Sequence, residues 1–295
     1  MTGSDRPAPV LPFTRGVFVL GVSLTIGTGI GLYAVPGRTA DYWAWTIKAP
    51  LSAAFFGAAY IGAAITLALA ARARAWREAR IVTVLAFTLT SLALLETLRD
   101  PGPFAFGAGG LVELVAWVWL AVYVALPPLV LAAFVLQEKA AATDDDPFEL
   151  PALTATRVVL GAVGAGCAAI GLLLLPPWAA LASRWPWPLP VLPATIVGAW
   201  LCAFASGLLW FAIRERKWAR ARIAVVGMVV PVALDLAAAG RLHSGLRGGA
   251  ATAVYLGSHV AVLAVLVSAA AVEERRLRRL RATPAAAEGL PGWVH

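Results

Sequence analysis

Four ionisable residues lie inside long apolar stretches of this chain, where they could carry chemistry. They are Glu96, Glu113, Asp235 and His259. Ionisable side chains are costly in hydrocarbon, so within a membrane span they usually face the protein interior and mark a path for substrates, ions or protons. An imidazole also changes its charge near neutral pH. These residue types therefore indicate a polar intramembrane site for a cation or a proton.

Two of the four also have a simpler interpretation. Glu96 precedes Arg99 by three positions, so the two can form a pair on one face of a helix. Glu113 can extend its carboxylate to the lipid head groups. A structural role and a functional role stay equally open for both residues.

Asp235 and His259 have no oppositely charged neighbour within one helical turn, which favours a functional role. Pro231 comes one turn before Asp235, and proline loosens helix hydrogen bonding near many intramembrane sites. A rise of 1.5 Å per residue puts Glu96 and Asp235 roughly 20–25 Å from the inner ends of their helices. The same rise puts Glu113 and His259 roughly 6–12 Å below the outer ends of theirs.

The elements that position these residues are predicted membrane-spanning helices. Hydrophobic residues make up 60% of the chain and charged residues 14%, whereas soluble domains carry about 25% charged residues. Each apolar segment has about the 20 residues that a helix needs to cross the hydrocarbon core. The sequence predicts an all-α integral membrane protein with eight spans, near residues 13–35, 50–71, 79–98, 109–136, 156–175, 189–213, 221–239 and 251–272.

Positive charge predicts the orientation of these spans. If the N-terminus is cytoplasmic, 18 of the 24 Lys and Arg residues fall in inner segments. Cytoplasmic loops carry such an excess, so both termini are expected inside. Arginine outnumbers lysine 21 to 3, a bias typical of GC-rich bacteria, and the expected location is the bacterial inner membrane.

The chain repeats itself with a shift of 142 residues. Arg72 and Trp76 match Arg214 and Trp218 under this shift. Further matches join Thr14 to Thr156, Trp43 to Trp185, Trp45 to Trp187 and Arg99 to Arg241. The predicted organisation is one four-span repeat (1–136), an exposed acidic linker (137–155) and a second repeat (156–272). Both repeats have the same orientation, so the axis between them is expected along the membrane normal.

The same shift relates two pairs of candidate residues. Glu113 and Trp117 fall at the positions of Tyr255 and His259, and residues four apart share one helix face. The predicted polar site therefore comprises Asp235, His259, Glu113, Glu96, Tyr255 and Trp117. Glycines are dense in the first and fifth spans, and small residues let helices approach closely in lipid. These two spans are expected to pack on each other.

A basic segment follows the eighth span and is predicted to continue it as a helix. Its arginines are Arg275, Arg276, Arg278, Arg279 and Arg281. Anionic lipid head groups attract such residues by about 1 kcal/mol each, but a general positive-inside anchor is the favoured interpretation. Residues 273–295 are thus expected to form a juxtamembrane helix and a disordered tail.

The stretch Trp43–Tyr60, WAWTIKAPLSAAFFGAAY, resembles a motif of uncharacterised polytopic membrane proteins of bacteria. In that family the motif runs Trp-Ala-Trp-Thr-Ile, then a proline and small residues. The second copy departs from it, because Pro188 stands where the first copy has Thr46. The resemblance covers the outer loop and the second span, and it implies a multi-pass membrane fold without any activity.

Other classes of function find little support in the residues. The chain has no HExxH, no cysteine pair at zinc spacing and no Gly-Lys phosphate loop, so no metal, cofactor or catalytic residue is predicted. Cys167 and Cys202 lie in apolar runs and are interpreted as packing residues. The net charge of +8 is accounted for by the inner loops, and no nucleic-acid partner is predicted.

Two functions from different classes are compatible with these residues. The first is a transporter of small molecules or ions with an outward-facing polar site between its repeats. The second is a non-catalytic membrane scaffold or complex subunit, in which the repeat serves packing and the basic surface binds lipid or a cytoplasmic protein. An intramembrane enzyme is a third and weaker alternative.

Overall fold

The computed structural model describes residues 7–141, 149–175 and 181–282. In these ranges the chain forms eight long helices and one short one, with no β-strand. All eight long helices are apolar enough to cross a membrane, which confirms the predicted all-α, eight-span fold. The helices are α1 (Pro12–Ala34), the short α2 (Thr39–Tyr42), α3 (Pro50–Arg72), α4 (Trp76–Arg99), α5 (Gly110–Ala140), α6 (Thr154–Leu174), α7 (Val191–Trp210), α8 (Trp218–Arg241) and α9 (Gly249–Ala282).

Several sequence predictions fall beyond the described residues. They concern Arg6, the acidic run Asp144–Asp146, the tail from residue 283 onward and the side chain of Arg281.

Local sequence accounts for the helix boundaries. Pro12 and Pro50 open α1 and α3, where a missing N–H costs nothing because the first turn has no acceptor for it. The helix α5 continues through Pro127 and Pro128. The helix α7 ends in a π-helical turn, Phe211–Glu215, followed by Arg216 with a φ of 55°. The helix α9 includes the basic segment, so the last span and this segment form one helix, as predicted.

The two ends of the helix bundle differ in composition. The turns between α3 and α4 and between α7 and α8 lie at one end, together with the C-terminal part of α9; we call this the basic end. Trp76 of one turn contacts Glu138 there, and Trp218 of the other contacts Glu274. The opposite end holds the loops with Trp43, Trp45, Trp185 and Trp187, and we call it the tryptophan end.

The long helices form a central group and a peripheral group. In the most apolar window of α3 and of α7, 61% of residues are buried, against 22% in α1 and α6 and 11% in α9. The helix α3 packs against α8, and α4 packs against α7. The centre therefore consists of α3, α4, α7 and α8, while α1, α5, α6 and α9 surround it.

Glycines bring helices close together, but the partners differ from the sequence expectation. Gly29 of α1 lies against Ile61 of α3, and Gly171 of α6 lies against Gly198 of α7. The first and fifth spans are thus peripheral, each packed on the span that follows it. A helix face rich in small residues can pack over more surface on a buried central helix than on another peripheral helix.

The segment predicted as an exposed acidic linker is packed at both of its described ends. Gln137 is fully buried and accepts a hydrogen bond from the Leu11 amide at 2.9 Å. Near the other end, Glu149 lies 2.8 Å from Arg220. Both residues bind partners at the basic end, so the expectation that they are exposed is wrong.

Candidate functional site

A carboxylate, an imidazole and a phenol meet between α8 and α9. Asp235 of α8 is 4% exposed, and its Oδ2 accepts a hydrogen bond from the Tyr255 hydroxyl. Nε2 of His259 lies 3.0 Å from the same oxygen. Tyr255 and His259 are one turn apart on α9, so both side chains face α8. The structure brings three of the six sequence-predicted site residues together.

The hydrogen bonds fix the number of protons in this cluster. Nδ1 of His259 lies 2.8 Å from the carbonyl oxygen of Tyr255, which can only accept, so Nδ1 must donate. A bare Nε2 and a carboxylate would both be acceptors, and their 3.0 Å contact needs a proton between them. The pair therefore holds one proton more than a carboxylate beside a neutral imidazole, and its net charge is zero.

A cavity of about 260 Å³ begins at this cluster and runs toward the basic end. It lies among α6, α7, α8 and α9, with α3 on one side. Its walls are mainly apolar and include Phe55, Phe204 and Met228. Polar groups enter at Asp235 and His259, with Ser258 and the Cys167 thiol nearby. The cavity is thus an apolar chamber with an acid–base pair at one end.

A second, open groove lies at the tryptophan end, directly above the cluster. It has a volume of about 440 Å³ and is lined by Lys48, Ser244 and Trp187, among others. Trp187 is 1% exposed and donates to Ser52 at 2.8 Å. The rings of Trp187 and Tyr255 meet edge to face, with centroids 5.1 Å apart. One layer of aromatic rings therefore separates this groove from the acid–base pair.

The other three predicted site residues lie elsewhere. Glu96 is 3% exposed on α4, 3.5 Å from Arg99 and in contact with Thr195 of α7. Glu113 caps the start of α5 by accepting the Gly109 amide at 2.8 Å. Trp117 is 52% exposed on the outer face of that helix. Glu96 thus joins α4 to α7, and Glu113 and Trp117 stabilise the N-terminal turns of α5.

A smaller chamber lies beside the first four long helices. It has a volume of about 110 Å³ and lies among α1, α3, α4 and α5, with α7 and α8 beside it. Tyr60 and Tyr123 line it, and their hydroxyls are 2.7 Å apart. Sequence reasoning missed this pair because a tyrosine in an apolar span resembles an ordinary packing residue.

Residues of α5 and α9 that make equivalent contacts at the tryptophan end are 136 positions apart in the sequence, rather than 142. Trp119 packs on Trp43 and Trp45, as Tyr255 packs on Trp185 and Trp187. Trp119 and Tyr255 differ by 136 positions, and so do Tyr123 and His259. The predicted match of Glu113 and Trp117 with Tyr255 and His259 is therefore out of register. The loop before α9 is shorter than the loop before α5.

Buried ion pairs join several helices at the basic end. Arg80 of α4 lies 3.0 Å from Glu215, at the end of α7, and 2.8 Å from Glu138 of α5. Arg220 of α8 lies 2.8 Å from Glu215 and from Glu149. The two basic turns were visible in the sequence. Their acidic partners were not, because these come from distant segments of the chain.

The basic segment of α9 presents several arginines to the surroundings. Arg275 and Arg278 are exposed. Arg276 is half-buried and donates to the Pro151 carbonyl at 2.7 Å. One arginine of this segment therefore holds the start of α6 in place, while others remain accessible.

Comparisons of the chain with protein-family models, curated protein sequences and solved structures find no match.

Proposed function

We propose that this chain is a proton-linked transporter of small molecules in the bacterial inner membrane. The observation that carries the proposal is the Asp235–His259 pair, which ends an apolar cavity beneath a single aromatic layer. Buried ionisable pairs within membrane spans mark proton and substrate pathways. In this proposal the chain belongs with the uncharacterised bacterial membrane proteins whose motif its Trp43–Tyr60 segment resembles.

The proposed orientation puts the basic end in the cytoplasm. Both termini are then inside, and the tryptophan end faces outward. The excess of Lys and Arg in the turns at the basic end supports this orientation. The groove above Trp187 then opens to the outside.

Two parallel four-span repeats form the proposed architecture. Contacts at the basic end support it, because they recur at matching positions. The backbone bridge between Pro9 and Ala75 has a counterpart between Pro151 and Lys217, displaced by 142 residues. Two hydrogen bonds to side chains match in the same way. The Leu11–Gln137 contact corresponds to Leu153–Glu273, and the Trp76–Glu138 contact corresponds to Trp218–Glu274.

The two chambers support the same architecture. Gly21, Gly62 and Tyr123 line one chamber, and their counterparts Val163, Phe204 and His259 line the other. Each repeat thus forms most of one chamber in this proposal, and the chamber of the second repeat carries the acid–base pair. Helices of the other repeat also line each chamber, with α7 and α8 at the first and Phe55 of α3 at the second.

In this proposal two sets of contacts act as the gates of the second chamber. The rings of Trp185, Trp187 and Tyr255 separate it from the outer groove. The ion pairs of Arg80, Arg220 and Glu215 close the bundle at the basic end. Transport requires that these two barriers open in turn, with the chamber reached from one side at a time.

Cys167 provides a direct test, because its thiol lines the chamber. In a Cys202→Ala chain it is the sole remaining thiol. We expect a membrane-impermeant thiol reagent, added outside intact cells, to modify it slowly in this background. Trp187→Ala should speed the reaction by about tenfold or more, since it removes the ring between groove and chamber.

The matched control is Trp45→Ala, the counterpart in the first repeat, which should leave the Cys167 rate unchanged. Failure of the reagent to reach Cys167 in both the Cys202→Ala background and the Trp187→Ala variant would contradict the transporter proposal.

A scaffold is the second candidate, and the ion-pair network favours it. Buried pairs that join α4, α7 and α8 at the basic end resist relative movement of the repeats, since breaking one leaves an uncompensated charge. Lack of labelling at Cys167 under every condition would support this alternative.

A further inference from the structure

We propose that the chamber of the second repeat binds a small apolar organic cation in exchange for one proton. The proposal rests on the transporter function above and specifies its substrate class and its stoichiometry. It follows from the proton count of the Asp235–His259 pair and from the walls of the chamber.

Removing the proton from the pair would leave a net negative charge in an apolar space. His259 contacts the Tyr255 carbonyl through Nδ1 and Asp235 through Nε2. Together these contacts require one proton more than an ionised carboxylate beside a neutral imidazole would hold. A buried, unpaired carboxylate costs several kcal/mol. The proton therefore leaves only when another positive charge takes its place.

A cation in the chamber supplies that charge. The cation pairs with the Asp235 carboxylate, His259 becomes a neutral imidazole that keeps its Nδ1 proton, and the displaced proton goes to water. No covalent bond other than the N–H or O–H bond to that proton breaks. The chamber is neutral before and after the exchange, so neither state carries the cost of a net buried charge.

The walls select an organic cation over a metal ion. Mg²⁺ and Ca²⁺ need about six oxygen ligands, whereas the oxygen atoms of the lining side chains come from Asp235 and Ser258. Ser258 is already engaged, donating to the Tyr255 carbonyl at 2.8 Å. Phe55 and Phe204 line the chamber, and aromatic rings attract poorly hydrated organic cations.

The volume of the chamber limits the size of the ligand. At about 260 Å³ it lies just under the range of about 300–1,000 Å³ for sites that hold drug-sized molecules. A quaternary ammonium group on one small ring fits this limit. We therefore choose benzyltrimethylammonium as the probe, with neopentylbenzene as its uncharged isostere.

Other titratable groups near the pair come from each neighbouring helix. Tyr33 of α1 donates to the Leu234 carbonyl at 2.9 Å, and the guanidinium of Arg241 lies 4.8 Å from the centre of its ring. Tyr255 of α9 donates to Asp235. Cys167 of α6 lines the chamber, and Cys202 of α7 lies against Gly171. Phenols and thiols titrate above about pH 8, so these neighbouring groups do not supply the exchanged proton between pH 6 and pH 8.

The test measures binding of both probes to the purified full-length chain in lipid nanodiscs between pH 6 and pH 8, with empty nanodiscs as background. Linkage to one proton predicts that affinity for the cation rises about tenfold per pH unit. Binding of the isostere should not depend on pH. Asp235→Asn should weaken cation binding by about 100-fold or more and leave isostere binding intact, which also shows that the chamber is folded.

Tyr123→Phe, which alters the chamber of the first repeat, is the matched control and should leave cation binding unchanged. Cation affinity that is independent of pH, or that survives Asp235→Asn, would overturn the exchange. Labelling of Cys167 from outside without any cation binding would refute the substrate class and leave the transporter proposal standing. Absence of that labelling would refute transport itself.

Discussion

One carboxylate oxygen of Asp235 accepts a hydrogen bond from the Tyr255 hydroxyl and shares a proton with Nε2 of His259. In the other chamber, Tyr60 and Tyr123 form a neutral hydrogen bond of 2.7 Å. Hydrogen bonds to charged groups contribute about 1.5–3 kcal/mol, whereas neutral bonds between membrane helices average about 0.6 kcal/mol.

Removal of a single hydroxyl should therefore have unequal effects in the two chambers. Tyr255→Phe is expected to lower the free energy of unfolding by about 1.5–3 kcal/mol, because it takes a donor from a buried carboxylate. Tyr123→Phe should lower it by only about 0.6 kcal/mol. Chemical unfolding of both variants in the same detergent measures the difference. Equal losses would contradict a stronger hydrogen bond at Asp235 than between Tyr60 and Tyr123.

At the scale of the helices, glycine contacts decide which spans are neighbours. Gly57 of α3 lies so close to α1 that an added Cβ would stand 2.4 Å from the Tyr33 amide nitrogen. Gly27 of α1 has no atom within 4 Å of the same position. A backbone atom cannot move aside as a flexible side chain does, so the two glycines differ in what they tolerate.

Gly57→Ala is expected to destabilise the protein by about 1–3 kcal/mol, as overpacking does. Gly27→Ala should be neutral or stabilise by less than about 1 kcal/mol, since alanine favours helix more than glycine does. Thermal unfolding of the two variants under identical conditions tests this expectation. A Gly57→Ala protein as stable as Gly27→Ala would show that α1 and α3 are not in close contact.

For the whole molecule, the distribution of charge predicts an orientation in the membrane. The turns around Arg74 and Arg214 lie at the basic end, and the exposed Ala40 and Ser244 lie at the tryptophan end. Positive residues are retained in the cytoplasm during insertion. Both turns should therefore be inaccessible from outside.

Single cysteines in a Cys167→Ala, Cys202→Ala background test this orientation. Ala40→Cys and Ser244→Cys should react with an impermeant thiol reagent applied to intact cells. Arg74→Cys and Arg214→Cys should react only after the cells are opened. Labelling of either arginine position in intact cells would reverse the topology on which the transporter proposal depends.

The sequence alone determined the number of spans, their boundaries to within a few residues and the excess of charge at one end. It did so because backbone groups in lipid must be satisfied within each segment, so each span can be recognised from its own residues. Local spacing also identified Asp235 and His259 as unusual, since neither has a charged neighbour within one turn.

Only the tertiary structure decided which helices are neighbours. Helices that are apolar on all sides give little indication of which face is buried, so the glycines of α1 and α6 were assigned to each other rather than to α3 and α7. The shift from 142 to 136 between α5 and α9 was equally hidden, because it shows only in which residue packs on the tryptophans. The pairing of Asp235 with His259 across two helices follows from the same packing, which brings together residues that are 24 positions apart.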